Sequence, residues 1–581
     1  MKKIVSIWLL PLAIAAAGCT KAEISSTSGA GSNTSSTPSP ETDTSTGVDP
    51  EDSYNEDAFD RTITISWSGE SATVSGDEKG IVSVNGAHVT VNNSAEEKVK
   101  YLLSGTSANA SLKLYSSKKQ VLQMEGLNLT NPSGAVINNQ GKKSCYVIVN
   151  GSNSLKDGSS AAYTATGDED LKAVFFSEGQ LLFSGTGSLS VTALNAQGKS
   201  AVTSDDYVSV DGPSLTISSG SGAGHGLRGK ESVIVNAGTL DISVSADMKK
   251  GITSDSLIVF NGGTTVVKAS GGTAQDPEED NEYKASAGIK ADQVFKMNDG
   301  SLSVSNSGQG GKGITGDAVA YFNGGTVSVN VTGANYGSSG GQGGPGGGGT
   351  PPGGGPGRRS TDSTDSSKAA KAIKFDGDIH FTGGSVSASA QNHEAIEAKG
   401  VLTVTGGTVY AKSSDDAINS GGNMTISGGY VCAYSTGNDG LDANGNCYIK
   451  GGVVYAVGSK DPEVGIDANT EQRCYLYVSG GTLFVIGGLE KSSNLSQSCY
   501  STNSWSRNTW YALTVGDTTH AFLTPDSGGT ALVVSGASKP ELLSGVSVAD
   551  GTSVWEGMGV MNAMVSGGSA VNLSTYSSNG R

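Results

Sequence analysis

Long apolar runs, helical periodicity and paired cysteines are all scarce in this 581-residue chain, and each shortage narrows the fold. Beyond the N-terminal segment, no stretch approaches the roughly 18 consecutive apolar residues of a membrane span. Apolar residues nowhere recur at a period of 3.6 over a useful length, which leaves short alternating strands as the building material. The six cysteines include no Cys-x-x-Cys pair and no Cys/His spacing suited to zinc. Apart from Cys19, an odd set remains: Cys145, Cys432, Cys447, Cys474 and Cys499. Cys447 and Cys474 share the parity of core positions, so buried free thiols are expected. Basic residues are in deficit, 38 against 55 acidic ones, and a net charge of −17 is wrong for neutralising nucleic-acid phosphates. Nucleophilic catalysis has little material. There is no Gly-x-Ser-x-Gly elbow, and His88, His225, His380, His393 and His520 fall in no triad-like setting.

What is present begins with Lys2 and Lys3, an apolar run from Ile4 to Ala17, and Gly18-Cys19. This is the layout of a secretory signal. Ala16-Ala17-Gly18-Cys19 resembles a bacterial lipobox, with Ala16 where Leu is usual. The resemblance implies a signal peptide over 1–18 and lipidation at Cys19. The protein is then expected in the bacterial cell envelope, on the outer membrane or cell surface, attached to membrane through the lipid alone. Residues 19–58 are Ser/Thr/Pro-rich and acidic, a tether with almost nothing to bury.

From Val202 onward a small residue, a branched apolar anchor and a polar residue recur ten times. The anchors are Val202, Leu227, Ile252, Ile289, Ile314, Ile373, Ile396, Ile418, Leu441 and Ile466, spaced 25, 25, 37, 25, 59, 23, 22, 23 and 25 residues apart. A second landmark, a Gly pair such as Gly262-Gly263, Gly406-Gly407 or Gly451-Gly452, sits between two alternating strands in each unit. Asp211-Gly212, Ala237-Gly238 and Asp299-Gly300 are variants of it. Three short strands and three turns in 22–25 residues predict one rung of a parallel β-helix, all-β and right-handed. Like residues then stack about 4.8 Å apart, with the anchors as an internal ladder. The expected β-helix runs over 59–490. The 37-residue gap holds an acidic loop, Asp276 to Glu282, and the 59-residue gap a disordered Gly-rich insertion at about 335–368. The period stops after Gly488. Residues 491–581 carry three of the five tryptophans, Trp505, Trp510 and Trp555, and read as a small β cap over the open strand edge.

The residues flanking the anchors change sign along the array. Two before the anchor stand His225, Lys250, Lys312 and Lys371, then Glu394, Asp416 and Asp439; one after stand Arg228, Lys290 and Lys374, then Glu397, Asn419, Asp442 and Asp467. Asp415 and Asn438 reinforce the acidic end. Carboxylates on adjacent rungs repel unless neutralised, and Ca²⁺, which binds oxygens at about 2.3–2.6 Å, can reach two rungs at once. An all-oxygen set suits Ca²⁺ better than zinc or copper. The alternative is a solvated acidic face. A line of outward aromatics, Tyr410, Tyr455 and Phe484 with Cys432, Tyr430 and Tyr434 alongside, could stack sugars. The preferred reading is that the C-terminal cap or a loop covers them.

Ser414 to Ser420, Thr425 to Tyr430, Ser435 to Asp442 and Pro462 to Ala468 resemble the bacterial calcium-binding, carbohydrate-binding β-helix family related to polysaccharide lyase family 9 pectate lyases. The similarity spans about Ile63 to Gly488. It implies bound Ca²⁺ and an acidic plant polysaccharide such as polygalacturonate, with cellulose a further candidate. Asp415, Asp416, Asn419, Asp439 and Asp442 match the Asp cluster that holds Ca²⁺ in such lyases, where a Lys or Arg is the base. No basic residue falls in a motif that identifies that base; Lys371, Lys374, Lys399 and Lys412 are merely nearby. The expectation is a monomeric envelope lipoprotein that binds Ca²⁺ and acidic polysaccharide without cleaving it. The metal set is Asp415, Asp416, Asn419, Asn438, Asp439, Asp442, Asp467, Glu394 and Glu397. A Ca²⁺-dependent pectate lyase and a structural adhesin or spacer are the rivals.

Overall fold

A computed structural model describes residues 49–94, 97–337 and 368–578. The signal segment, Cys19, the tether up to residue 48 and the Gly/Pro tract 341–359 lie outside the described residues; the last ten tether residues, 49–58, pack instead on the solenoid, where buried Asp52 accepts from the Tyr207 hydroxyl at 2.7 Å. Within them the chain is all β, with only three-residue 3₁₀ turns as helix. It is a parallel β-solenoid of about 15 turns, consistent with right-handed winding.

The anchor ladder orders everything else. Val202, Leu227, Ile252, Ile289, Ile314, Ile373, Ile396, Ile418, Leu441 and Ile466 pair in one continuous parallel register. The column extends backward through Phe175, Ile137, Leu112 and Val89, and forward to Leu489. Its members are almost wholly buried. Their strands form the first face of the solenoid. The strands before each Gly pair form the second, and those after it the third.

The small residue before each anchor is a packing requirement. A Cβ added to Gly251, Gly288 or Gly313 would overlap a Cγ1 of Val267, Val304 or Val329, which point inward from the third face. One rung on, the anchor's neighbour becomes Ala372, and the register partner of Val329 becomes Ala388. Bulk is moved from the third face to the first by exchanging Gly–Val for the slightly smaller Ala–Ala. At the Gly pairs the second residue is always left-handed, with φ +76° at Gly407 and +78° at Gly452, a conformation open to glycine. Beside them runs an amide ladder, in which Asn261 donates to Asn236 (2.9 Å), Asn298 to Asn261 (2.8 Å) and Asn323 to Asn298 (2.9 Å).

Both ends of the stack finish in antiparallel pairing. At the start, 71–75 folds back on 61–68, and 82–85 on 88–93. At the end, 532–535 runs antiparallel to 483–486 and to 499–502. The C-terminal segment also covers the outward aromatics, the reading preferred for them from sequence. Residues 510–515, 518–523, 541–554 and 559–570 close into a four-stranded barrel. The barrel covers the outward aromatics of the third face: Tyr410, Tyr455 and Phe484 are buried with Tyr511, Phe522 and Trp555. Phe484 and Phe522 stack at 4.6 Å, and the Tyr455 hydroxyl donates to the Leu523 carbonyl at 2.8 Å. Those rings are therefore core. The acidic loop becomes a short hairpin, 274–275 against 283–284, in which Lys284 pairs with Asp276.

All five described cysteines are free thiols. Cys145, Cys432, Cys447 and Cys499 are buried, but Cys474 is only half-buried. Leu476 stacks on Cys447, and Cys474 lies two residues before that strand, just after the turn Thr470–Gln472 and left-handed Arg473.

Replacing Gly288 by Ala should destabilise the solenoid by about 1–3 kcal/mol through overpacking. Adding Val304→Ala should recover part of that loss. A double-mutant cycle by denaturant unfolding reads the coupling, and additive effects would disprove the proposed contact.

Candidate functional site

The outward positions of the first face form two polar columns whose charge reverses near the rung of Ile396. On the cationic side, Lys250 and Lys312 lie low against the strand, and their ammonium groups donate to carbonyls, Lys250 to Met248 at 2.6 Å and Lys312 to Gly310 at 3.2 Å. Burial and neighbouring lysines push their pKa values down to about 8 and about 7. The other cations of this face have carboxylate partners: Arg228 with Asp255 (2.8 Å), Lys290 with Asp317 (3.0 Å), and Lys374 with Asp376.

At the reversal the two signs meet. Lys371 bridges Glu394 (3.1 Å) and Glu397 (2.5 Å), and Lys399 reaches Glu397 as well. These bonds hold the Glu397 carboxyl below the usual carboxylate range despite burial. Glu394 also contacts His393, which lies 3.1 Å from Asp415. Glu394 and Glu397 thus already have protein cations, which separates them from the aspartates further along. Of the basic residues considered as a lyase base, Lys371 and Lys399 are tied to Glu397 and Lys374 to Asp376, while Lys412 sits 5.2 Å from the Tyr434 ring centroid.

Beyond the reversal, carboxylates accumulate without cations. Asp416, Asp439, Asp442 and Asp467 have no lysine or arginine partner among the described residues. Asp416 accepts from the Asp439 amide (3.1 Å), and Asp439 from the Val464 amide (2.5 Å). Asn419 stands between Asp416 (3.3 Å) and Asp442 (2.6 Å), donating to both. Asn438 donates to Asp415 at 3.0 Å. Burial first, and then the neighbouring carboxylates, push Asp416 up to about 8, Asp442 to about 6 and Asp467 to about 9. For Asp439 burial raises the value to about 7 even though the Val464 amide opposes it. Each ionised oxygen here lacks a counter-charge, so an oxygen-seeking cation fits the donor set. The trio His393, Glu394 and Asp415 does bring its ligand atoms within 4.8 Å of one another; Asp416, Asp439 and Asp442 are not gathered that tightly. Neither buried lysines bonded only to carbonyls nor the Lys371 bridge was foreseen from sequence. The column order Lys312, Lys371, Glu394 is legible in the sequence; the reach of Lys371 along the column to both glutamates is not.

The chain belongs to the family of carbohydrate-binding domain-containing proteins, whose model matches residues 85–250, 242–337 and 309–417, more than half of its length. A solved structure, that of the polysaccharide lyase-like protein from C. thermocellum as a gadolinium derivative, is 17% identical. The similarity covers 47% of this chain and 95% of that one, with a TM-score of 0.33. No curated protein matches.

The aspartates set a pH dependence. A carboxyl with a raised folded-state pKa favours folding below its unfolded value near 4, and that advantage fades as pH rises toward the folded value. In chelator, Asp439→Asn should therefore match wild type at pH 4 and gain stability between about pH 4 and pH 7, by on the order of 1 kcal/mol or more. Thermal melts across that range check this; a gain that shrinks with pH would refute the assigned environment.

Proposed function

We propose that this protein binds Ca²⁺ along the acidic end of the first face and, through it, an acidic polysaccharide of the polygalacturonate type, without cleaving it. The observation that carries the reading is the run of aspartates without cationic partners, Asp416 and Asp439 buried and Asp442 and Asp467 half-buried, in a member of a carbohydrate-binding family. Asp416, Asp439, Asp442 and Asp467 would hold the ion, with Asp415, Asn419 and Asn438 beside them. Bound Ca²⁺ supplies positive charge that attracts uronate carboxylates. Lipidation at Cys19 and a cell-envelope location complete the proposal, the tether carrying the solenoid away from the membrane.

Binding without cleavage is favoured over lyase chemistry because the column offers no free base near the aspartates. Lys312, whose pKa suits proton abstraction, is three rungs from Asp416, about 14 Å at the usual strand spacing. The nearer Lys371 is engaged by two glutamates.

Calorimetry should show Ca²⁺ binding to wild type, weakened at least tenfold in Asp439→Asn. Chelation should lower the melting temperature by mass action. Polygalacturonate should bind only with Ca²⁺ present, and absorbance of an unsaturated product should stay flat. Absence of Ca²⁺ binding would reduce the columns to a solvated face, and steady product formation would establish the lyase instead.

A further inference from the structure

The aromatics that the barrel buries cannot meet a glycan, but a second aromatic column lies elsewhere. On the outer side of the second face, Tyr321, His380, Thr403, Thr425, Tyr448 and Tyr477 stack in unbroken register. Tyr448 and Tyr477 stack with centroids 5.1 Å apart and planes 16° from parallel. Each is flanked in its strand by buried core residues, Cys447 and Ile449 or Leu476 and Val478, so the rings must project outward; both are half-buried. Lys450 is exposed, places its ammonium 5.0 Å from the Tyr448 centroid, and forms no ion pair among the described residues. Its equivalents on adjoining rungs, Ser427 and Ser479, are uncharged.

We infer that Tyr448, Tyr477 and Lys450 form a glycan platform on the second face, separate from the aspartate columns, and that its occupant is a uronate-bearing chain. This rests on the acidic-polysaccharide reading and adds a second contact surface to it. The apolar C–H faces of a pyranose pack on aromatic rings as other apolar surface does. An unpaired ammonium beside those rings favours a carboxylate over a neutral sugar at that spot, working locally against the repulsion of a protein of net charge −17. A platform and an ion site on different faces would hold one long polysaccharide at two places, raising its apparent affinity without new contacts at either.

The column itself supplies a mild replacement, because threonine already occupies it at positions 403 and 425. The full chain, immobilised and supplied with Ca²⁺, is titrated with polygalacturonate and with an uncharged β-glucan. Tyr448→Thr and Tyr477→Thr should each weaken polygalacturonate binding about tenfold, with melting temperature and calorimetric Ca²⁺ binding unchanged. Lys450→Gln should weaken polygalacturonate alone, leaving any affinity for the uncharged glucan as it was. Wild-type affinity in all three variants would overturn the platform while the calcium-mediated reading stood. Equal losses for both glycans in Lys450→Gln would overturn the uronate assignment. Failure of wild type to bind polygalacturonate would overturn the platform and the broader reading together.

Discussion

Every feature of this protein follows from repeating one backbone turn at the spacing of a β-sheet hydrogen bond. Stacking at about 4.8 Å places each residue directly beneath its counterpart, so a choice made on one rung constrains the next. Inside, that constraint favours branched apolar anchors and forces volume exchange, as where Gly313 opposite Val329 gives way to Ala372 in the rung of Ala388. Outside, the same constraint brings like charges together. An isolated Asp on a surface costs nothing. The register of 416, 439 and 464, with 419, 442 and 467 alongside, brings several carboxylates together below the surface.

The chain handles its charges in three ways along one face. Arg228, Lys290 and Lys374 reach sideways to carboxylates in the following turn, an arrangement that leaves both partners wet and contributes little. At the junction, Lys371 lies between Glu394 and Glu397, so opposite signs on neighbouring rungs satisfy each other in a buried setting. Lys250 and Lys312 at one end and the aspartates at the other have no such partner. They are solvated by carbonyls and by backbone amides respectively, and their pKa values move toward the neutral form. A fold that needed only stability would not leave both kinds of group uncompensated, because uncompensated burial of charge is costly.

The anchors and the Gly pairs were legible in the sequence because both are imposed by geometry at a fixed period. Register from Val202 to Ile466 could be written down without coordinates. The four earlier turns could not. Their anchors follow His88, Ser111, Val136 and Val174, so the Ala or Gly that marks later rungs is missing. The charge reversal was legible too, since it is a property of columns. Its pairing was not: whether Glu397 faces solvent, an ion or Lys371 depends on side-chain reach across rungs. Parity groups Cys474 with the buried Leu476 and Val478, but it lies in the turn before that strand begins and is only half-buried, a boundary that alternation does not mark.

The C-terminal segment shows how an exterior column becomes an interior. Along the third face, outward positions are mainly hydroxyl and amide residues, such as Ser303, Ser328 and Ser387, up to the rung of Tyr410. From there they become Tyr410, Cys432, Tyr455 and Phe484. That switch coincides with the barrel, whose Phe522 and Trp555 pack on Tyr455. Apolar columns on a solenoid therefore point to whatever covers them, and covering them uses up their capacity to bind anything else. Tyr448 and Tyr477 lie at the same level of the stack but one face away, near Lys450 and Ser479, and stay half-buried. The sequence separation between Tyr448 and Tyr455 is seven residues, yet the bend at Gly451-Gly452 sends one to the core of an interface and leaves the other at the surface.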